Sequence, residues 1–252
     1  MLSAIFFDFD GTLADDGDSI QEALDHACAI IRRRWPDIPT PDLIQTYRRA
    51  SETAWGDYDR YLRHLSSPEA MLMAVWQEAL GQWGCHDPTV EREAAAVYWQ
   101  HRLRHCRPFP DVVPLLSRLS QRFQLSLLTN GAPAMQRTKV STSGLEAFFD
   151  TIFVGGEFTR GKPHPAIFEA ALEEAGCRPE QVVHVGDSLL HDIAGAQAVG
   201  IHGVWLNRKR LAITDLPAQL QHQLGDTRAE YEISSLTELH ACIDRLMEVA
   251  PD

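Results

Sequence analysis

The sequence predicts an α/β protein: a parallel sheet covered by helices on both faces, interrupted by an inserted bundle of helices. Three observations carry this. Short apolar runs alternate with helical stretches in residues 1–14 and 108–252, the order that builds a parallel sheet. Acids, a hydroxyl and an amide stand at the ends of those runs, at Asp8 and Asp10, Thr129 and Asn130, and Asp187, and ligands of such sheets gather at the carboxyl ends of strands. Residues 15–107 hold few β-branched runs and show helical periodicity instead.

Taken in order, residues 2–9 form the first strand. The insert follows, with breaks at Trp35-Pro36-Asp37-Ile38-Pro39, Ser66-Ser67-Pro68 and Gly81-Gln82-Trp83-Gly84. After Pro108-Phe109-Pro110 come a helix over 111–122 and a short apolar strand over 125–129. A second strand is expected at 151–154, then a helix over 165–175 closed by Gly176. The run 181–186 reads as a third strand, ending in Asp187, and a helix continues to Gly200. A strand at 203–206, a weaker one at 231–233 and a final helix complete the chain.

Composition narrows the partners. The chain has 252 residues, 44% apolar and 23% charged, as ordinary globular proteins do. Its net charge of -12 disfavours nucleic acid. An anionic substrate needs a local positive trap against that field. Five cysteines, at 28, 85, 106, 177 and 242, are odd in number and include no CxxC pair. They read as free thiols in a reducing cytoplasm rather than a disulfide framework or a zinc site. Residues 1–5 have no basic residue and lead into acids, so neither a signal peptide nor a membrane anchor is expected.

Four motifs carry chemistry. In Asp8-Phe9-Asp10-Gly11-Thr12 two carboxylates stand two residues apart. Close carboxylates both stay ionised only near a cation; otherwise one holds a proton. One suits attack on phosphorus and the other proton transfer, while Gly11 lets backbone approach an anion. Read alone, an Asx turn accounts for the same residues. Thr129-Asn130-Gly131 offers a hydroxyl, an amide and a backbone N–H to phosphate oxygens, or simply ends a strand. Gly161-Lys162-Pro163-His164-Pro165 presents an ammonium at a helix start; Lys162 alone also reads as a solvated surface residue, and His164 as a surface or capping histidine. Gly186-Asp187-Ser188 with His191-Asp192 supplies hard oxygen ligands of the kind Mg²⁺ takes, or acids at a helix N-terminus. Asp8, Asp10, Asp187 and Asp192 bring four negative charges against the single positive charge of Lys162, which favours a divalent cation at the site.

Together these segments resemble the haloacid dehalogenase superfamily in its phosphatase branch. Asp-Phe-Asp-Gly-Thr-Leu, Leu-Leu-Thr-Asn-Gly, Gly-Lys-Pro-His-Pro-x-Ile-Phe and His-Val-Gly-Asp-Ser-x-x-x-Asp match its four motifs in order, over residues 1–14 and about 108–240. The resemblance implies a Rossmann-like core at 1–14 and 108–252, an α-helical cap at 15–107, and Mg²⁺. It makes Asp8 the nucleophile that becomes an aspartyl phosphate. Asp10 becomes the general acid/base, with its carbonyl on the metal. Asp8 and Asp187 are then side-chain metal ligands, and Thr129, Asn130 and Lys162 phosphate binders beside Gly11. Asp192 orients Lys162 or a metal-bound water. His191 departs from the small polar residue usual there and is given no role. Dehalogenases of the superfamily lack an acid at the position of Asp10, so its presence favours phosphate chemistry. The expected activity is Mg²⁺-dependent hydrolysis of a small phosphomonoester, such as a nucleotide, sugar or flavin phosphate. A sugar-phosphate mutase is the alternative, since the same motifs serve both. A dehalogenase, a receiver-like signalling module and an inactive binding relative rank below.

Within the insert stand Trp35, Trp55, Trp76, Trp83 and Trp99, with Tyr47, Tyr58, Tyr61 and Tyr98. They fill a small bundle core, or one or two of them, such as Trp55 and Tyr58, face a ring-bearing substrate. Arg32-Arg33-Arg34 and Arg48-Arg49 read as solvated. The chain passes between core and cap near 13–18 and 105–110, which are the expected hinges.

Overall fold

The computed structural model describes residues 1–15, 17–56, 68–225 and 227–249. The chain falls into two compact units. One comprises Met1–Asp15, Pro108–Gly131 and Ser143–Asp252; the other comprises Asp16–Arg107 and Ala132–Thr142.

The first unit is a six-stranded sheet with helices packed against it. Its strands are β1 (Ala4–Phe7), β4 (Gln124–Thr129), β5 (Thr151–Val154), β6 (Val182–Gly186), β7 (His202–Leu206) and β8 (Tyr231–Ile233). Two short strands, β2 (Ala14–Asp15) and β3 (Arg107–Pro108), form a separate ladder. The large sheet runs β5-β4-β1-β6-β7-β8, and every pairing is parallel. β1 thus has the later strands on both sides, and the crevice where the order reverses opens beyond its carboxyl end. The strands are short and almost wholly apolar because both faces are covered. All four β1 residues are buried, as are all five of β6. Phe6, Leu128, Ile167, Phe168 and Val182 belong to one cluster, formed by strands β1, β4 and β6 with helix α7 (Pro165–Ala175). That helix starts at an N-cap His164 whose ring accepts a hydrogen bond from the N–H of Ala166, and Gly176 ends it in the left-handed region.

The second unit is helical: α1 (Gly17–Arg34), α2 (Thr40–Gly56), α3 (Pro68–Gly81) and α4 (Pro88–His105). Its core holds Leu24, Ile31, Leu43, Tyr47, Trp76, Tyr98 and Trp99. Tyr47 stacks at 4.2 Å on Trp76 and lies 5.4 Å from Tyr98. Four of the aromatic residues singled out from the sequence therefore fill the bundle, while Trp83 is exposed. The Trp55 side chain, Tyr58 and Tyr61 lie outside the described residues. The remaining helices are α5 (Val112–Leu119), α6 (Pro133–Ser143), α8 (Gly195–Ala198), α9 (Ala218–Leu224) and α10 (Leu239–Val249).

The α9 helix and the β2–β3 ladder were not expected from the sequence, and two further features differ from it. Helix α6 was not anticipated, and up to Thr142 it belongs to the helical unit rather than the sheet unit, because Ala132 and Met135 join the bundle core. The helix expected after Asp187 begins as a widened π-type turn at Leu189–Ala194 before becoming α8. All five cysteines are free. No described helix is long and apolar enough to cross a membrane.

Candidate active site

The site is built where β1 and β6 end side by side. Phe7 pairs with Val185, so Asp8 and Asp187 leave adjacent strands at nearly the same level. The Asp8 N–H still donates to the Val185 carbonyl at 2.9 Å, holding the first acid against the second strand. The Trp205 indole N–H donates to the Asp187 carbonyl at 2.9 Å and pins the other backbone.

Glycine permits this closeness. Gly11 has φ +82, and a Cβ there would overlap the Asp187 carboxylate. A Cβ on Gly186 would overlap the carboxylate of Asp192. Both positions admit acids where any side chain would displace them.

Lys162 lies between two of the carboxylates. Its ammonium donates to Asp8 Oδ1 at 2.8 Å and to Asp192 Oδ1 at 2.5 Å, and all three residues are buried. The second Asp8 oxygen accepts from the Thr12 hydroxyl at 2.9 Å, so both oxygens are oriented. Asp192 also bonds Nε2 of the buried His184 at 3.0 Å and accepts from the Ser188 N–H at 3.0 Å. Oxygens of Asp8, Asp187 and Asp192 lie within 4.8 Å of one another.

The electrostatics separate the acids. Burial works against the charge of Asp192, but Lys162 and the hydrogen bond to His184 outweigh it and hold the carboxyl well below its usual range. Burial likewise opposes the charge of Lys162, and Asp192 and Asp8 more than restore it. These two form the fixed ion pair. Asp8 is pushed up to about 7, chiefly by burial against the pull of Lys162, with Asp192 adding to the rise. Asp187 rises to about 8 through loss of water around its carboxyl, then the charges of Asp8 and Asp192, although its outer edge is open to solvent. Burial lowers His184 below its ordinary value despite Asp192, so the ring is neutral and donates from Nε2.

Each residue singled out from the sequence has a place here. Asp8, Gly11, Lys162, Asp187 and Asp192 converge. Asp10 is half-buried, and its charge adds to the rise of both Asp8 and Asp187. Thr129 is buried at the end of β4. Asn130 is turned toward Lys162: its Oδ1 accepts from the Lys162 N–H, and its Nδ2 donates to the Lys162 carbonyl, each at 2.8 Å. Its side chain thereby holds the lysine loop. His191 stands outside the acid cluster, bonded to Ser188. Thr12 and His184 were missed as site residues. The one signal for His184 is a lone imidazole in an otherwise apolar strand; for Thr12 it is a hydroxyl four residues beyond Asp8.

The residues fit a hard divalent cation. The donors are carboxylate oxygens clustered within coordination reach, and two of them rise in pKa when no positive charge beyond Lys162 is present.

Fold and site together define a hydrolase built on a Rossmann-like parallel sheet, with its carboxylates at the switch point. The chain belongs to the haloacid dehalogenase-like hydrolases, whose family model matches residues 2–200. It is similar to N-acylneuraminate-9-phosphatase of Mus musculus, 27% identical with 96% of this chain and 94% of the relative covered. Phosphoserine phosphatase of Thermus thermophilus is 32% identical, with 74% of this chain and 75% of the relative covered. Among solved structures, a 2-haloacid dehalogenase from Pseudomonas syringae superposes with TM-score 0.69 at 26% identity, over 97% of this chain and 99% of that one. The chain is an enzyme of this family, of the phosphoric monoester hydrolase kind.

Proposed function

We propose that the chain hydrolyses a small phosphomonoester with Mg²⁺ through a phosphoaspartyl intermediate on Asp8. The observation that carries this reading is the bridge from Asp8 through Lys162 to Asp192 beside Asp187. It orients one carboxylate oxygen pair and leaves the cluster short of positive charge, as a site for a cation and a phosphoryl group requires.

Asp8 and Asp187 would hold Mg²⁺ through carboxylate oxygens, with the Asp10 carbonyl as a third donor. When bound, the ion neutralises phosphoryl oxygens and keeps Asp8 ionised. An Asp8 oxygen attacks phosphorus in line, and the bond from phosphorus to the leaving oxygen breaks. Asp10 donates its proton to that oxygen, so an alcohol departs. A water then attacks the same phosphorus, Asp10 takes the water proton, and the Asp8–phosphorus bond breaks to release inorganic phosphate. Lys162, with Thr129 and the backbone around Gly11 and Asn130, binds the equatorial oxygens. Asp192 and His184 hold the ammonium toward Asp8, and the Asn130 side chain holds its backbone. Residues 15–107 serve as the cap that selects the leaving group.

Asp10 separates this reading from dehalogenation, because a halide leaves without a proton and an alkoxide does not. The test is a panel of phosphomonoesters with Mg²⁺, including acylneuraminate, serine, nucleotide, flavin and sugar phosphates, run beside 2-haloacids. Release of phosphate from at least one ester, abolished by Asp10→Asn, is expected. Halide release with no phosphate release would overturn the reading. Transfer of phosphate to a sugar phosphate rather than water would convert it to a mutase.

A further inference from the structure

The helical unit carries a second group of metal-ligating side chains, unrelated to the acids at the sheet. Glu22 and His26 lie four apart on α1, and His101 and His105 four apart on α4, so each pair shares a face of its helix. The two helices pack against each other. His101 Nε2 and Glu22 Oε2 are 3.0 Å apart, the His101 and His105 rings stack at 4.2 Å, and the His26 ring lies 4.8 Å from His101. Ligand atoms of Glu22, His101 and His105 all lie within 4.8 Å of one another. Glu22 and His105 are exposed and His101 half-buried, so the group is open to an ion from solvent.

We propose that Glu22, His101 and His105 form a binding site for a divalent transition metal of the zinc class. Two imidazoles and one carboxylate are a donor set that Zn²⁺ takes, with water completing a tetrahedron. Mg²⁺ prefers oxygen donors and is not held by such a set, so this site and the acid cluster differ in the ion they select. Zinc-bound nitrogen and oxygen each sit about 2.0–2.2 Å from the metal; an ion can therefore take the place of the His101–Glu22 hydrogen bond with a small outward shift of both groups. The ion would join the second turn of α1 to the last two turns of α4. Those are the helices by which the chain enters this unit after Asp15 and leaves it before Pro108, so zinc stabilises the bundle at the end where its chain connections emerge.

The experiment uses the full chain, stripped with EDTA and returned to saturating Mg²⁺, with Zn²⁺ alone as the probe. Equilibrium dialysis with metal analysis is expected to give one more bound zinc per chain in the native protein than in His101→Gln/His105→Gln. Zinc about 100-fold above its Kd should raise the melting temperature by roughly 5–10 °C in the native protein, and this rise should be absent in the variant. Native and variant protein should melt alike in EDTA. If the double variant does not fold, Glu22→Gln, a change on an exposed side chain, takes its place with the same expectation. Equal zinc binding by native and variant protein, or an equal zinc-induced shift, overturns the proposal.

Discussion

The two units bury different things. The helical unit buries aromatic and aliphatic surface: Trp76, Tyr47, Tyr98, Leu24 and Ile31. It also buries two charged side chains, Lys139 and Glu91; Glu91 sits at a helix start, where it accepts from the Asp87 N–H and bonds His86. The sheet unit buries charge, placing Asp8, Lys162 and Asp192 in mutual contact at the strand ends. Apolar burial stabilises in proportion to area removed from water. A buried ionic cluster contributes little net stability, because desolvation offsets the attraction. In this chain, then, substitutions that destroy chemistry and substitutions that destroy stability fall in different places.

The largest expected effect tests the chemical half of that contrast. Asp8→Asn keeps the shape and, with its oxygen toward Lys162 and its NH₂ donating to a turned Thr12 hydroxyl, a partner for each neighbour, but it removes the nucleophile. Turnover measured by phosphate release should fall by on the order of 10⁴-fold or more, with the melting temperature nearly unchanged. A collapse in melting temperature would show that the acid cluster holds the fold, and the contrast would fail.

Next is Trp76→Ala, which empties a fully buried site in the bundle. It should cost about 3–5 kcal/mol, read by calorimetry or denaturant titration. A loss below about 1 kcal/mol would mean that the bundle closes over the gap and that the aromatic core is not what holds it.

A third change sharpens the contrast, because it tests a charge in the sheet unit outside the acid cluster. Asp111 accepts both Arg208 guanidinium nitrogens, the Ser235 hydroxyl and the Leu236 N–H, each at 3.0 Å, and Arg208 stacks on Phe109 at 3.9 Å. Burial alone would raise the Asp111 carboxyl, but these hydrogen bonds together hold it below its ordinary value. Asp111→Asn should cost about 2 kcal/mol near neutral pH. Since the folded pKa is depressed, the stability it supplies is present above the unfolded value of about 3.9 and is lost as pH falls through the folded one. The gap between native and variant protein in urea titrations should therefore close under acid. A gap independent of pH would assign the effect to shape rather than charge.

The smallest expected effect lies at the start of α4. The Asp87 side chain caps that helix by accepting from the N–H of Thr89 at 3.0 Å and of Val90 at 3.5 Å. Asp87→Ala should cost about 1 kcal/mol, measured by the same titrations, with catalysis unaffected.

Much of this was legible in the residues. The strands 151–154 and 231–233 and the helix 165–175 fall where the apolar runs and the closing Gly176 place them. α6 was not legible: Pro-Ala-Met-Gln-Arg-Thr-Lys-Val-Ser-Thr-Ser is rich in hydroxyls and β-branched residues, weak helix formers, and it is helical with Ala132 and Met135 set in the bundle core. α9 is likewise a short run, Ala-Gln-Leu-Gln-His-Gln-Leu, with little apolar period to read.

The acids at the site were visible because chemistry demands particular residue types at strand ends, and a strand end is a local feature. Asp8, Asp10, Lys162, Asp187 and Asp192 could therefore be singled out one segment at a time. What joins them is not local. The bond from His184 to Asp192 spans eight residues, the grip of Asn130 on the Lys162 backbone spans 32, and the bridge from Lys162 to Asp8 spans 154. The pairing of Glu22 with His101 spans 79. The sequence by itself determined which groups carry charge and which runs enter the sheet. Only the tertiary structure decided which carboxylate pairs with the lysine, which is left to rise in pKa, and which histidines meet across two helices, because those outcomes depend on distances set by parallel strand register and helix packing rather than by neighbours along the chain.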